Sequence, residues 1–189
     1  MERRLVLASA SPRRKELLSL MGIAFSVCAV DVDEHLSGSP DQVVMELARR
    51  KAHAAAALHP GETVLGADTL VHCQGETLGK PRDEEDAMRM LRMLSGCGND
   101  VFTGVCVIDG VTGEESVRCD CSHVQFVTLS EGAMRLYVQS NEPMDKAGAY
   151  GVQGMGGMFV SSIQGSPSNV IGLPMHLVRQ MLMEIGWEL

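Results

Sequence analysis

Aromatic residues are scarce in this chain of 189 residues: one Trp, two Tyr and four Phe make up 4% of it. An interior built mainly of rings is excluded, so aliphatic side chains and the 13 methionines must fill the core. No apolar run approaches the roughly 18 residues of a membrane span, which argues against a membrane protein. The charged start is followed by only a short apolar run, unlike a secretory leader, so the cytoplasm is the expected compartment. The Walker pattern G-x-x-x-x-G-K-[ST] is absent, which excludes a P-loop protein. The six cysteines match neither a disulfide framework nor a zinc ribbon. Cys119 and Cys121 form C-x-C on one face of an expected strand, but they lack a second pair of ligands. Reduced, buried thiols are expected instead. No repeat or low-complexity tract is present.

What is there is 45% apolar and acidic, with a net charge of −8. That charge argues against nucleic acid and membrane surfaces as partners. Five of the 16 basic residues nevertheless fall in the first fifteen positions, so any site they serve is local. The length suffices for a real core, and residues 1–189 read as one domain.

Strand and helix patterns alternate. Strands are expected at 6–8 and 25–30, and two short ones at 63–67 and 70–73 around Asp68. A hairpin over 101–108 and 116–127 turns at "DGVTGE", and a last strand covers 158–163. Helices are expected at 12–21, 40–58, 84–94, 131–139 and 174–185. Residues 148–157, "GAYGVQGMGG", hold five glycines and read as loop. The fold class is α/β, with a mixed sheet because the hairpin is antiparallel.

The opening "LASASPRRKELLSLMG" carries the first chemical signal. Ser11 reads as an N-cap and Pro12 as the first helical residue. Arg13 and Arg14 then sit at the positive end of a helix dipole, where a cation is disfavoured by roughly 0.3–1 kcal/mol. A bound phosphate would remove that repulsion, with Ser9 and Ser11 adding hydroxyls and the arginines adding forked donors. The alternative is that both arginines extend into solvent. Removing either arginine is expected to leave stability nearly unchanged or slightly improved, because each removal takes a cation from a helix N-terminus. Asp31, Asp33 and Glu34 follow a strand in "AVDVDEHL", where Asp31 and Asp33 also suit a turn. Asp68 is a lone carboxylate between apolar strands, and it needs a partner or a metal. Lys80 lies on the tight connection "GKPRD". Lys51 shares the apolar stripe of its helix, from which its amine can reach a site or solvent. Carboxylates near phosphate-binding cations suit metal-assisted phosphoryl chemistry.

These segments, with "ELARRKA", "LGADTLV", "LGKPRDEEDAMRML", "LSG", "DKAGAYGVQGMGG" and "GSPSNVIGLP", resemble the Maf family of nucleoside triphosphate pyrophosphatases along nearly the whole chain. "SPRR", "GADT" and "YGVQG" resemble the branch that hydrolyses dTTP and UTP. The resemblance implies an elongated mixed sheet flanked by helices around a deep central cleft, similar to inosine triphosphate pyrophosphatases. It implies hydrolysis between the α- and β-phosphates with a divalent cation, Mg²⁺ or Mn²⁺. On matching positions, Asp68 is the catalytic proton acceptor, and Arg13, Thr69 and Gln153 select the base. Ser9, Arg14, Lys51, Lys80 and Lys146 contact phosphate, and Glu34 with Asp68 contacts metal. The resemblance is also the ground for expecting a homodimer. The chain departs from the family pattern at Asn99, where a His usually precedes "V-x-TG". Two other functions remain open at this point: a nucleotide-sensing regulator of division that binds without turnover, and an enzyme of the same fold that removes modified nucleotides.

Overall fold

The computed structural model describes residues 4–189; of the early basic residues, Arg3 lies outside the described part. The elements follow in the order β1 (Leu5–Ala8), α1 (Pro12–Leu20), β2 (Phe25–Val27), α2 (Pro40–Ala56), β3 (Thr63–Cys73), β4 (Glu76–Leu78), α3 (Glu84–Leu94), β5 (Gly98–Ile108), β6 (Glu115–Phe126), α4 (Glu131–Gln139), β7 (Val160–Gln164), α5 (Pro167–Ile171) and α6 (Met175–Glu184). The sheet has seven strands in the order β2-β1-β3-β5-β6-β7, with β4 pairing β3. β1 runs parallel to β2 and β3, whereas β3/β4 and β6/β7 are antiparallel. The expected mixed α/β sheet is therefore present.

The chain divides into two compact units. The first runs to Asp68 and adds Thr103–Asp120 and Gly172–Leu189. Its core joins Val6, Ala8 and Val64 of the parallel strands to Ala48, Ala52 and Ala55 of α2 and to Cys106 and Ile108 of β5. Alanines face the sheet because α2 lies unusually close to it. A Cβ on Gly66 would stand 2.3 Å from the Ala48 carbonyl, and one on Gly104 would stand 2.2 Å from the Val44 carbonyl. Two strands thus present bare backbone to one helix, and small residues on the helix complete the fit.

The second unit comprises Thr69–Phe102 and Cys121–Ile171. Met90 and Met134 lie in its core, and Met88, Met93, Met144 and Met155 pack against it, as fillers of irregular space. The few aromatic residues are concentrated here. Phe126 meets Tyr150 edge to face at 4.8 Å, and Tyr137 meets Phe159 at 5.1 Å. The aliphatic core expected from composition therefore holds for the first unit, while these methionine fillers lie in the second, which is also centred on two ring pairs. α3 begins at Asp83, whose carboxylate accepts the Asp86 N–H at 2.8 Å. Buried Asp86 in turn accepts from the Arg82 N–H and from both the Arg82 and Arg89 guanidinium groups. Burial pushes its carboxyl upward, but these donors outweigh it and hold it below the usual aspartate value.

Several expectations need correction. Strand pairing continues through Asp68, so the two short strands are one strand of 11 residues. β2 ends at Val27, well short of residue 30. The glycine-rich segment is bounded by 3₁₀ turns at Ala147–Ala149 and Met155–Phe159. The Ser11 side chain makes no cap hydrogen bond. Ser9, two residues earlier, accepts the Ser11 N–H at 3.2 Å. All six cysteines are free, yet only Cys73 and Cys106 are buried, and burial pushes the Cys106 thiol up to about 12. β4, α5 and the 3₁₀ turn Glu142–Asp145 carry no strong pattern in the sequence.

Gly66→Ala must push α2 off β3 or bend the strand. Overpacking of this kind costs about 3 kcal/mol, or roughly 6–12 °C in Tm for a chain of this size. Thermal unfolding checks it, and a shift below about 2 °C would mean that the helix has room to retreat.

Candidate active site

Alternation along β3 places Gly66 and Asp68 on the same face, toward α2. One helical turn along α2 from the Ala48 contact stands Lys51. Its Nζ donates to Asp68 Oδ1 at 2.6 Å and bonds Glu34 Oε1 at 2.7 Å. The Lys51 and Asp68 side chains are only 13% and 12% exposed, so this is a largely dehydrated pair, whereas Glu34 is 58% exposed. Glu34 comes from the irregular segment before α2, where Asp33 accepts the His35 N–H at 3.0 Å. Asp33 is therefore a turn residue, and Asp31 is exposed.

The second cation of the first unit is Arg14. Its Nε donates to the Gly172 carbonyl at 2.8 Å, and its Nη1 donates to Ser9 Oγ at 3.3 Å. Burial lowers the proton affinity of this guanidinium; the nearby carboxylates of Asp68 and Glu34 act in the opposite direction, and Arg13 adds to the lowering. Arg14 is thus fixed inside a charged group with Ser9, Glu34, Lys51 and Asp68, and does not extend into solvent. The expectation that its removal is neutral for stability fails, because the Gly172 carbonyl would lose a donor. Arg13 is half-buried. The structure therefore brings together five of the residues singled out in the sequence, two carboxylates and two cations around a buried hydroxyl.

The remaining candidates belong to the second unit. Thr69 follows Asp68 directly in β3 and is half-buried. Lys80 is exposed. The Lys146 ammonium is engaged by the Glu142 carbonyl and by Asp145 Oδ1, the latter at 2.7 Å. Gln153 is exposed on the glycine-rich segment. Asn99, the departure from the family pattern, is buried: its amide donates to the Val124 carbonyl at 3.0 Å and accepts the Tyr150 hydroxyl at 2.9 Å. In this chain it ties Tyr150 to the β5/β6 pair.

Sequence reasoning missed Glu142. Its carboxylate accepts from the Tyr137 hydroxyl at 2.9 Å, the Met155 N–H at 2.9 Å and the Gly156 N–H at 3.2 Å. Burial pushes its carboxyl up, and those donors more than reverse the shift, holding it below the usual glutamate value. A signal was available. Backbone N–H groups of a glycine-rich segment need acceptors, and Glu142 is an acidic residue shortly before that segment.

Two carboxylates set on one ammonium give an oxygen donor set that suits a hard divalent cation together with substrate phosphate and water. Among the described residues no group of three or more His, Cys, Asp and Glu side chains stands together. The same residues form no helix long and apolar enough to cross a membrane.

Comparison with known proteins shows the family. The family model described as "Maf-like protein" matches residues 4–185. A protein of Symbiobacterium thermophilum named dTTP/UTP pyrophosphatase is 48% identical over 187 residues, covering 98% of this chain and 95% of that protein. One of the same name from Bacillus velezensis is 46% identical over 188 residues, with 98% of each covered. Among solved structures, a HAM1 protein from Coxiella burnetii shares the fold with a TM-score of 0.54 at 16% identity, over 97% of this chain and 100% of that one. With one family model covering nearly all of the sequence, and full-length relatives at this identity, the chain belongs to the Maf family.

Proposed function

We propose that this chain is a nucleoside triphosphate pyrophosphatase that hydrolyses dTTP and UTP to the monophosphate and pyrophosphate, by attack of water at the α-phosphate. The names of its relatives support the reaction. The observation that carries the chemistry is the Lys51 ammonium bonded to both Asp68 and Glu34. Lys51 bonds Asp68 Oδ1, and Oδ2 is the oxygen assigned to accept the proton of the attacking water. Lys51 and Arg14 provide fixed positive charge where phosphoryl oxygens gain negative charge. Ser9 adds a hydroxyl, and the family resemblance also assigns phosphate contacts to Lys80 and Lys146. A divalent cation, Mg²⁺ or Mn²⁺, would be held by Glu34 and Asp68, and would supply Lewis acidity toward phosphate oxygens when bound.

Base selection falls to Arg13, Thr69 and Gln153. Uracil and thymine offer an N3–H between two carbonyls, and a Gln amide meets the N–H and one carbonyl together. Arg13 has donors only, so it accepts a carbonyl and opposes the cytosine amine. Unpaired buried polar groups make such discrimination strong. Cytoplasmic residence and the absence of nucleic-acid partners fit the acidic charge, and a homodimer is the assembly to test.

Pyrophosphate release from dTTP, UTP, CTP, ATP and GTP, with Mg²⁺ or Mn²⁺, tests the reading. dTTP and UTP are expected well above the others; equal rates for CTP and UTP would remove Gln153 as base reader, and tight binding without turnover would remove the enzyme. Asp68→Asn keeps the size and removes the charge, and turnover is expected to fall at least ~10²-fold. A folded Asp68→Asn protein that still turns over normally would exclude Asp68 from proton transfer. Arg14→Ala is expected to raise KM alike for every triphosphate, because a phosphate contact carries no base information. It should also cost about 1–3 kcal/mol of stability through the orphaned Gly172 carbonyl. A base-dependent KM change would reassign Arg14, and an unchanged Tm would show that its hydrogen bonds are dispensable.

A further inference from the structure

Gln153 sits in a segment poorly suited to holding anything still. Residues 148–157 include five glycines, and the Gln153 side chain is exposed. Fixing such a backbone in one conformation is costly in entropy. Yet the segment is tied on both sides of Gln153. On one side the Tyr137 hydroxyl accepts the Gly151 N–H at 3.2 Å. On the other, the Glu142 carboxylate accepts the N–H groups of Met155 and Gly156. Tyr137 also donates to Glu142, which makes the two ties one unit. The fit is close. A Cβ on Gly154 would stand 2.4 Å from Glu142 Oε2, and one on Gly156 would stand 2.6 Å from the Tyr137 hydroxyl. The Tyr137 ring is itself fixed edge to face on Phe159.

We propose that Glu142, acting with Tyr137, is a positioning residue for base selection: it clamps residues 151–156 so that Gln153 is presented in one place and orientation. The proposal rests on Gln153 reading the base, as set out above. A Gln amide offers an acceptor and a donor, and reversed it matches cytosine as well as uracil. Only a held amide discriminates between them. Glu142 touches no reacting atom, and its carboxylate holds backbone N–H groups, whereas it is the Glu142 main-chain carbonyl that meets the Lys146 ammonium; a side-chain substitution keeps that carbonyl, so the expected effect is on selectivity and pyrimidine affinity.

The test compares Glu142→Gln and Gln153→Ala in the full chain. For each, kcat and KM are measured with UTP, dTTP and CTP, along with inhibition by inorganic tripolyphosphate, which has no base. In Glu142→Gln one carboxylate oxygen becomes a donor facing backbone N–H. The UTP:CTP ratio of kcat/KM is expected to fall about 5–10-fold, the discrimination one hydrogen bond supports. The fall should come through a higher KM for UTP, with kcat within about twofold and the tripolyphosphate Ki unchanged. If Gln153→Ala collapses the ratio and a folded Glu142→Gln leaves it intact, the positioning role is overturned while the base reader stands. A loss of kcat that is equal for all bases, with weaker tripolyphosphate inhibition, would make Glu142 purely structural. If Gln153→Ala itself leaves the ratio unchanged, the base-reading assignment fails and the clamp's role in selection fails with it. Should Glu142→Gln not fold, Tyr137→Phe removes the hydroxyl shared by Glu142 and Gly151, and is judged by the same criteria.

Discussion

The close approach of α2 to β3 at Gly66 is the constraint on which the first unit depends. A helix carbonyl that would stand 2.3 Å from a Cβ leaves no room for any side chain on the strand. Everything else on that face follows from the period of each element. The alanines of α2 are there because only small residues fit, Asp68 is there because strand residues two apart share a face, and Lys51 is there because it lies one helical turn from Ala48. A buried ion pair of this kind is a poor source of stability, since dehydrating two charges offsets most of their attraction. Its retention between a strand and a helix that already fit closely is better explained by chemistry than by folding.

The second unit is organised differently. Its polar interior consists of carboxylates and amides that accept or donate to backbone: Asp86 at the start of α3, Glu142 on the glycine-rich segment, Asn99 between Val124 and Tyr150, and Asn169 donating to the Val101 carbonyl and to Ser122. Each holds an irregular segment that apolar burial alone would not define. The first unit sets the Lys51 ammonium between Asp68 and Glu34, and the second uses Asp86 and Glu142 to hold a helix start and a loop.

The same contrast decides what can be read from sequence. Pro12 marks the start of α1, and helical spacing of apolar residues marks α2 and α3, because these signals are local. The sequence pattern breaks the strand at Asp68 because a lone carboxylate interrupts the apolar run. Its partner lies seventeen residues earlier in the chain and leaves no mark beside it. Ser9, Arg14, Glu34, Lys51 and Asp68 were legible as chemistry, though the pairing of Lys51 with both carboxylates was not. The Arg14 bond to Gly172 spans 158 residues and reverses a stability argument drawn from the helix dipole alone. Glu142 escaped because it is an ordinary surface-type residue until the backbone of residues 155–156 folds back onto it.

The scarcity of rings has an optical consequence. The single tryptophan, Trp187, belongs to the first unit, and both tyrosines, Tyr137 and Tyr150, belong to the second. Each unit therefore carries its own chromophore. Tryptophan emission reports on the surroundings of α6 in the unit that holds Lys51 and Asp68. Tyrosine absorbance reports on the two hydroxyls that bond Glu142 and Asn99 beside the glycine-rich segment. The protein can thus signal separately, without any label, which of its two units a nucleotide or a denaturant has disturbed.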